Sequence, residues 1–178
     1  MKILNFGCGD KVIPGIVNLD KIAWAGDPRV VIQDITTGRL PFEDDHFDAI
    51  IAHHSLQMIK YTDFIPALKE LMRVLRPGGV IRVSVPDAMK AFRMYEADEA
   101  DYFPIVDEAE KSIEGKLCAY LTWYSEAKMV FSEDWLWELF TRAGYSEVSR
   151  SYYHHSATEE LNQYDLRPDE SIFIEALK

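Results

Sequence analysis

A chain of 178 residues, 48% of them hydrophobic, is long enough for one domain with a sizeable core. Its net charge of −11 sets its surface against phosphate backbones and anionic lipid, so no nucleic acid and no membrane partner is expected. The two cysteines, Cys8 and Cys118, make neither a disulfide framework nor a metal-ligand spacing. Two free thiols, no leader-like run before the first strand and no bilayer-length apolar stretch fit a cytoplasmic protein.

The first ten residues carry the most information. Ile3–Phe6 reads as a short strand, and Gly7-Cys8-Gly9 as a tight turn where a ligand can approach the backbone. A second strand, Ile16–Leu19, runs into Asp20, an acid placed to accept from both hydroxyls of a ribose. Together they point to a nucleoside-bearing cofactor at the strand ends of an α/β sheet. The competing reading is a β-turn whose glycines serve geometry alone.

Further strands are expected at Val30–Ile35, Asp48–Ala52, Val80–Val85, Tyr145–Ser151 and Ser171–Ala176. Ala49-Ile50-Ile51-Ala52 is apolar without alternation, as befits a central strand buried on both faces. A helix is expected from about Asp63 to Leu75, capped by Asp63 and with Pro66 in its first turn. Its inner stripe would be Ile65, Leu68, Met72 and Leu75, and Pro77-Gly78-Gly79 would end it. A second helix should follow Ser132 as cap, with Leu136, Leu139, Phe140 and Ala143 inward and Gly144 as stop.

The stretch from Asp87 to Phe131 is too long for a plain crossover. Its acids Glu96, Asp98, Glu99, Asp101, Asp107, Glu108 and Glu110 read as a solvated face. One or two helices over the carboxyl ends of the strands are expected there, placed to act as a substrate lid. Its aromatics Phe92, Tyr95, Tyr102, Phe103, Tyr120, Trp123 and Tyr124 either pack the insertion down or line an acceptor pocket. Trp135 and Trp137 read as core and rim of the last helix.

Several ordered motifs carry a resemblance. They are Leu4-Asn5-Phe6-Gly7-Cys8-Gly9-Asp10, Val17-Asn18-Leu19-Asp20, Gln33-Asp34-Ile35 and Phe47-Asp48-Ala49-Ile50-Ile51-Ala52, then Leu71-Met72-Arg73-Val74-Leu75-Arg76-Pro77-Gly78-Gly79 and Ser84-Val85-Pro86-Asp87. With the tail Ser171–Ala176, the chain resembles the class I S-adenosylmethionine-dependent methyltransferases, in particular small bacterial members of the type-11 kind. The resemblance implies a single Rossmann-like α/β domain over residues 1–178. Its seven-stranded sheet would be mostly parallel with the last strand antiparallel, and helices would lie on both faces. The first crossover would be shortened, and residues 87–131 would form a helical insertion.

The resemblance also implies roles. Phe6, Gly7 and Gly9 would lie under the methionine and ribose of S-adenosyl-L-methionine, and Asp20 would hold the ribose. Asp34 would accept from the adenine amino group, and the Ile35 N–H would meet a ring nitrogen. Ala52 and His53 would line the methionine portion. Asn5 stands where relatives carry an acid, Lys11 where a third glycine is common, and Gln57-Met58 where many carry Glu-His. The chain starts at the first strand without a covering helix, so a homodimer or partner chain covering the cofactor enters the expectations.

Methyl transfer to a sulfonium-activated carbon needs mainly alignment and water exclusion, with a base for some acceptors. His54 is a candidate base or orienting group, or else a histidine bonded to loop backbone. Asp87 either orients an acceptor or caps the following helix. His154 and His155 read as an exposed loop pair. Adjacent histidines project apart and no acid or cysteine sits at ligand spacing, so no metal is expected. The function expected is methylation of a small-molecule or saccharide-type acceptor. The alternative is a non-catalytic methyltransferase-like binding or regulatory module needing a partner chain. A nicotinamide-dependent oxidoreductase is disfavoured because the full glycine fingerprint is missing.

Overall fold

In a computed structural model, which describes residues 1–105 and 109–178, the short apolar runs form one sheet. Its strands are β1 (Ile3–Phe6), β2 (Val17–Asp20), β3 (Val30–Ile32), β4 (Phe47–His53), β5 (Leu75–Pro86), β6 (Ser146–Ser151) and β7 (Ser171–Leu177). The order is β3-β2-β1-β4-β5-β7-β6. The first five strands pair parallel, and β7 lies antiparallel between β5 and β6. This is the seven-stranded sheet expected, with its reversal at the last strand. Ala49, Ile50, Ile51 and Ala52 are fully buried, as their unbroken apolar run requires.

Helix α1 (Tyr61–Val74) and helix α4 (Glu133–Ala143) pack on each other and cover one face. Leu4, Ile50, Ile81 and Ile174 meet them there. Ile3, Ala49, Ile51 and Val80 point to the opposite face. Ile13 and Ile16 of the β1–β2 loop cover it, with Leu161 and Tyr164 of a 3-10 turn at Glu159–Tyr164. The first crossover is thus a loop, as its length requires.

Helix α4 follows the sequence closely. Ser132 Oγ accepts from Trp135 N at 3.3 Å, and Gly144 ends the helix at φ 104°. Helix α1 differs. It starts two residues earlier, at Tyr61, so Asp63 lies in its first turn and is not its cap. Pro66 is the sixth helical residue and not part of the first turn. The buried stripe is Phe64, Ala67, Leu68, Leu71 and Val74, with Ile65 and Met72 at its margin. Pro77-Gly78-Gly79 does not end the helix either. Leu75 already pairs with Phe47, and the prolyl-glycine run is a bulge inside β5 before Val80 pairs with Ala49.

Between β5 and α4 lie helices α2 (Ala88–Glu96) and α3 (Ile113–Thr122). Ala91, Phe103, Leu117 and Tyr120 form their shared small core. Glu96, Asp98, Glu99 and Asp101 face solvent as read; Asp107 and Glu108 lie outside the described residues. Among the described residues no helix is long and apolar enough to cross a membrane.

Candidate functional site

Parallel pairing of β1, β2 and β4 brings Phe6, Asp20 and His53 to one edge of the sheet. The chain leaves β1 at Gly7 (φ 65°) and Gly9 (φ 54°), both in the region that favours glycine. The N–H groups of Gly7 and Cys8 donate to Leu19 O, which fastens the turn to β2. Gly9 N then donates to Asp20 Oδ2 at 2.8 Å. The space where a Cβ on Gly9 would project is open, whereas Ser55 Cβ fills that of Gly7. Burial, reinforced by the nearby Asp20 charge, pushes the Cys8 thiol up to about 11, so it stays protonated and inert near neutrality.

Asn5 lies beneath the turn and is buried. Its amide donates to Lys11 O and to Asn18 Oδ1, each at 2.9 Å. Asn18 in turn accepts from Ile13 N and donates to Ile13 O and Ile16 O. A carboxylate could not donate either bond, which gives a structural reason for amide in place of acid here. Beyond β3, Asp34 folds into a small turn, with Oδ1 accepting from Thr36 N and Oγ1. Ile35 packs against the edge of the core.

At the end of β4 the Ala52 side chain is in the core, as is that of Phe6 beside the glycine turn. His53 turns under the β6–β7 connection: Nδ1 meets Ser84 Oγ at 2.8 Å, and Nε2 lies 3.9 Å from Asp165. Burial brings its pKa down to about 4. His54, at φ 49°, meets Ser171 Oγ through Nε2 at 2.7 Å. Ser171 gives its own hydrogen to Arg167 O, so His54 Nε2 is the protonated nitrogen. Burial, with the Arg167 charge, brings His54 down to about 3. It is a neutral, weakly basic ring. Asp87 caps α2 by accepting from Lys90 N at 2.9 Å and lies 3.7 Å from Arg93. That is the capping alternative. His154 and His155 are exposed.

A cavity of about 90 Å³ opens where the ends of β4 and β5 meet the insertion. Its walls include His54, Gln57, Met129 and Phe131, with Tyr120 and Leu121 of α3. Arg167 and Glu170 stand at its rim, paired at 2.8 Å, with the Arg167 guanidinium 5.8 Å from the Trp123 ring. Of the insertion's aromatics, Tyr102, Phe103 and Tyr120 pack it together, and Tyr120 and Trp123 also reach the cavity. Tyr61 stacks on Trp135, which packs on the core, while Trp137 is half exposed.

The structure therefore brings Gly7, Gly9, Asp20 and Ser55 together, sets Asp34 beyond β3, and places His54 between this edge and the cavity. Ser55 escaped the sequence reading. Its Oγ is buried beside Gly7 with no hydrogen-bond partner among the described residues.

Residues 16–83 match the family described as methyltransferase domain. Over 110 residues the chain is 30% identical to a demethylmenaquinone methyltransferase of Staphylococcus haemolyticus, covering 61% of this chain and 45% of that protein. It is 29% identical over 128 residues to the ubiquinone/menaquinone biosynthesis C-methyltransferase UbiE of Azotobacter vinelandii, covering 70% and 48%. The chain thus spans about half the length of the curated relatives it matches. Among solved structures it resembles S-adenosylmethionine-dependent methyltransferases of Thermotoga maritima (TM-score 0.61, 22% identity, 99% of this chain and 82% of that one) and Archaeoglobus fulgidus (TM-score 0.62, 12%, 99% and 86%). Fold and family match agree with the class I methyltransferase resemblance carried by the motifs.

Proposed function

We propose that this chain, which has the class I methyltransferase fold and carries the methyltransferase-domain pattern over residues 16–83, is an S-adenosylmethionine-dependent methyltransferase acting on a small molecule. The observation that carries this is the joining of Gly9 N–H to the Asp20 carboxylate at the carboxyl edge of a β3-β2-β1-β4-β5-β7-β6 sheet. The site fits the cofactor. An open glycine would let a ribose approach, the Asp20 carboxylate is an acceptor for its hydroxyls, and the buried Ser55 Oγ beside Gly7 has no partner among the described residues.

S-adenosylmethionine supplies a methyl group already activated by sulfonium. The protein's part is to align and to keep water out. Asp20 fixes the ribose end and Asp34 the adenine end. Helix α3 closes the acceptor cavity as a lid, with Tyr120 OH tied to Glu170 O at 3.3 Å. His54, neutral and held by Ser171, orients the acceptor and does not serve as a strong base. The apolar walls favour an aromatic or alicyclic acceptor over a saccharide. The quinone-pathway names of the relatives agree with that preference.

Calorimetric titration with S-adenosylmethionine and S-adenosylhomocysteine tests the reading. The intact chain should bind both, and Asp20→Ala, folded by circular dichroism, should bind neither. An intact chain that binds neither would overturn it.

A further inference from the structure

Gln57 follows β4 in a 3-10 turn, Leu56–Met58, and is 5% exposed. Its backbone carbonyl accepts from both Lys128 N (2.8 Å) and Met129 N (3.1 Å), which clamps it to the wall formed by residues 128–131. Its Nε2 donates to His54 O at 2.8 Å. That bond fixes the amide's orientation, because a flipped amide would set oxygen against oxygen. The remaining atom, Oε1, is buried and has no hydrogen-bond partner among the described residues. Native proteins rarely leave a buried acceptor in this state, and such a group calls for an explanation.

The main side-chain donors around the cavity have partners within the protein. His54 N–H goes to Ser171, Tyr120 O–H to Glu170 O, and Arg167 to Glu170. The rest of the lining is dominated by apolar side chains such as Met58, Leu121, Met129 and Phe131. The cavity thus combines an apolar surface, a rim whose charges cancel, the unprotonated Nδ1 of His54, and Gln57 with its buried, unpartnered Oε1.

Resting on the methyltransferase reading, we propose that Gln57 selects the methyl acceptor. The ligand is a compact, uncharged, largely apolar molecule bearing one hydroxyl or amino hydrogen, which it donates to Gln57 Oε1. A molecule of the same shape without that hydrogen leaves the oxygen buried and unpaired, and so binds more weakly. Gln57 is a specificity residue that touches the acceptor and fixes which way round it lies.

Phenol, toluene and anisole are suitable probes. Toluene matches phenol in shape, and anisole is phenol with its hydrogen replaced by methyl. Dissociation constants come from NMR titrations of the full chain, with and without S-adenosylhomocysteine. In the native protein phenol should bind more tightly than anisole, with shifts at Leu121 and Met129. In Gln57→Met the phenol-to-toluene affinity ratio should fall about tenfold. An unchanged ratio in Gln57→Met, or anisole binding as tightly as phenol to the native chain, would overturn the proposal. So would failure of every probe to reach the cavity. The native phenol–anisole comparison needs no variant, so a misfolded Gln57→Met leaves the test intact. Binding of S-adenosylhomocysteine in the same samples separates the two readings: its loss alongside a surviving phenol preference counts against methyl transfer and for the role of Gln57.

Discussion

The side-chain amide of Asn5 donates to Asn18 Oδ1 at 2.9 Å, at a place where relatives are expected to carry an acid. Family resemblance alone would make Asn5→Asp a restoration of a cofactor contact. The geometry says the opposite. An aspartate would face Lys11 O and Asn18 Oδ1 with oxygen against oxygen, in a site only 5% exposed. Asn5→Asp should therefore cost about 2–4 kcal/mol of stability, with no gain in S-adenosylmethionine affinity. Urea denaturation and calorimetry would check both parts. Equal midpoints with tighter cofactor binding would refute the argument.

Gly7 and Gly9 are alike in φ but not in surroundings, and that separates their variants. A Cβ at Gly9 meets nothing within 4 Å, so Gly9→Ala should cost about 1 kcal/mol of backbone strain. A Cβ at Gly7 would lie 2.3 Å from Ser55 Cβ, so Gly7→Ala should cost more than about 3 kcal/mol. Adding Ser55→Gly should return the loss at Gly7 to roughly the Gly9 value, about 1 kcal/mol, because strain then remains without the clash. Thermal or urea unfolding of the three variants would show it. Comparable losses at the two glycines would sink the distinction.

What was legible in the sequence was what local chemistry decides. Helix α4 announced itself through Ser132, its apolar stripe and Gly144, and the strands through short apolar runs. The start of α1 is not legible locally, because Lys60, its cap position, makes no side-chain capping bond, while Asp63 mimics a cap. Gly7, Gly9 and Asp20 were legible because adjacent parallel strands deliver them to one edge. Asp87 stayed ambiguous, since the same carboxylate serves a cap and an acceptor equally well until its partner, Lys90 N, is seen. The cavity could not be read at all. It joins the end of β4, helix α3 and residues 167–170, which no local pattern links.

Arg82 belongs to that unread class, because its carboxylate partners Asp165 and Glu175 lie 83 and 93 residues away. All its guanidinium hydrogens are used. Nε and Nη2 grip Asp165 at 2.6 and 2.5 Å, Nη1 serves Ser151 and Glu175, and Nη2 also meets Tyr152 O. Asp165 and Glu175 then hold the β6–β7 connection through His154 N, Ala157 N and Ser156 Oγ. Arg82→Met leaves two carboxylates buried without their cation and should cost about 3–5 kcal/mol. Amide exchange at His154 and Ala157 should quicken in parallel, because the cover of that sheet face loosens. A variant as stable as the native chain would show that the network contributes nothing net.

Stability should fall steeply in mild acid. Burial holds His53 at about 4 and His54 at about 3 in the folded protein, against 6.5 for a free histidine. Asp165 opposes the burial at His53 and Arg82 reinforces it, while Arg167 reinforces it at His54. Between pH 6.5 and 4 the unfolded chain binds protons that the folded chain refuses. Stability is thus fully present above pH 6.5 and falls as pH drops, until the folded groups themselves titrate. Each histidine should contribute a loss of about 1.4 kcal/mol per pH unit in that window. His53→Gln removes one of the two, so the fall in urea midpoint between pH 7 and pH 5 should be roughly half that of the native protein. If the variant and the native chain lose stability at the same rate, His53 is not one of the groups that take up protons on unfolding.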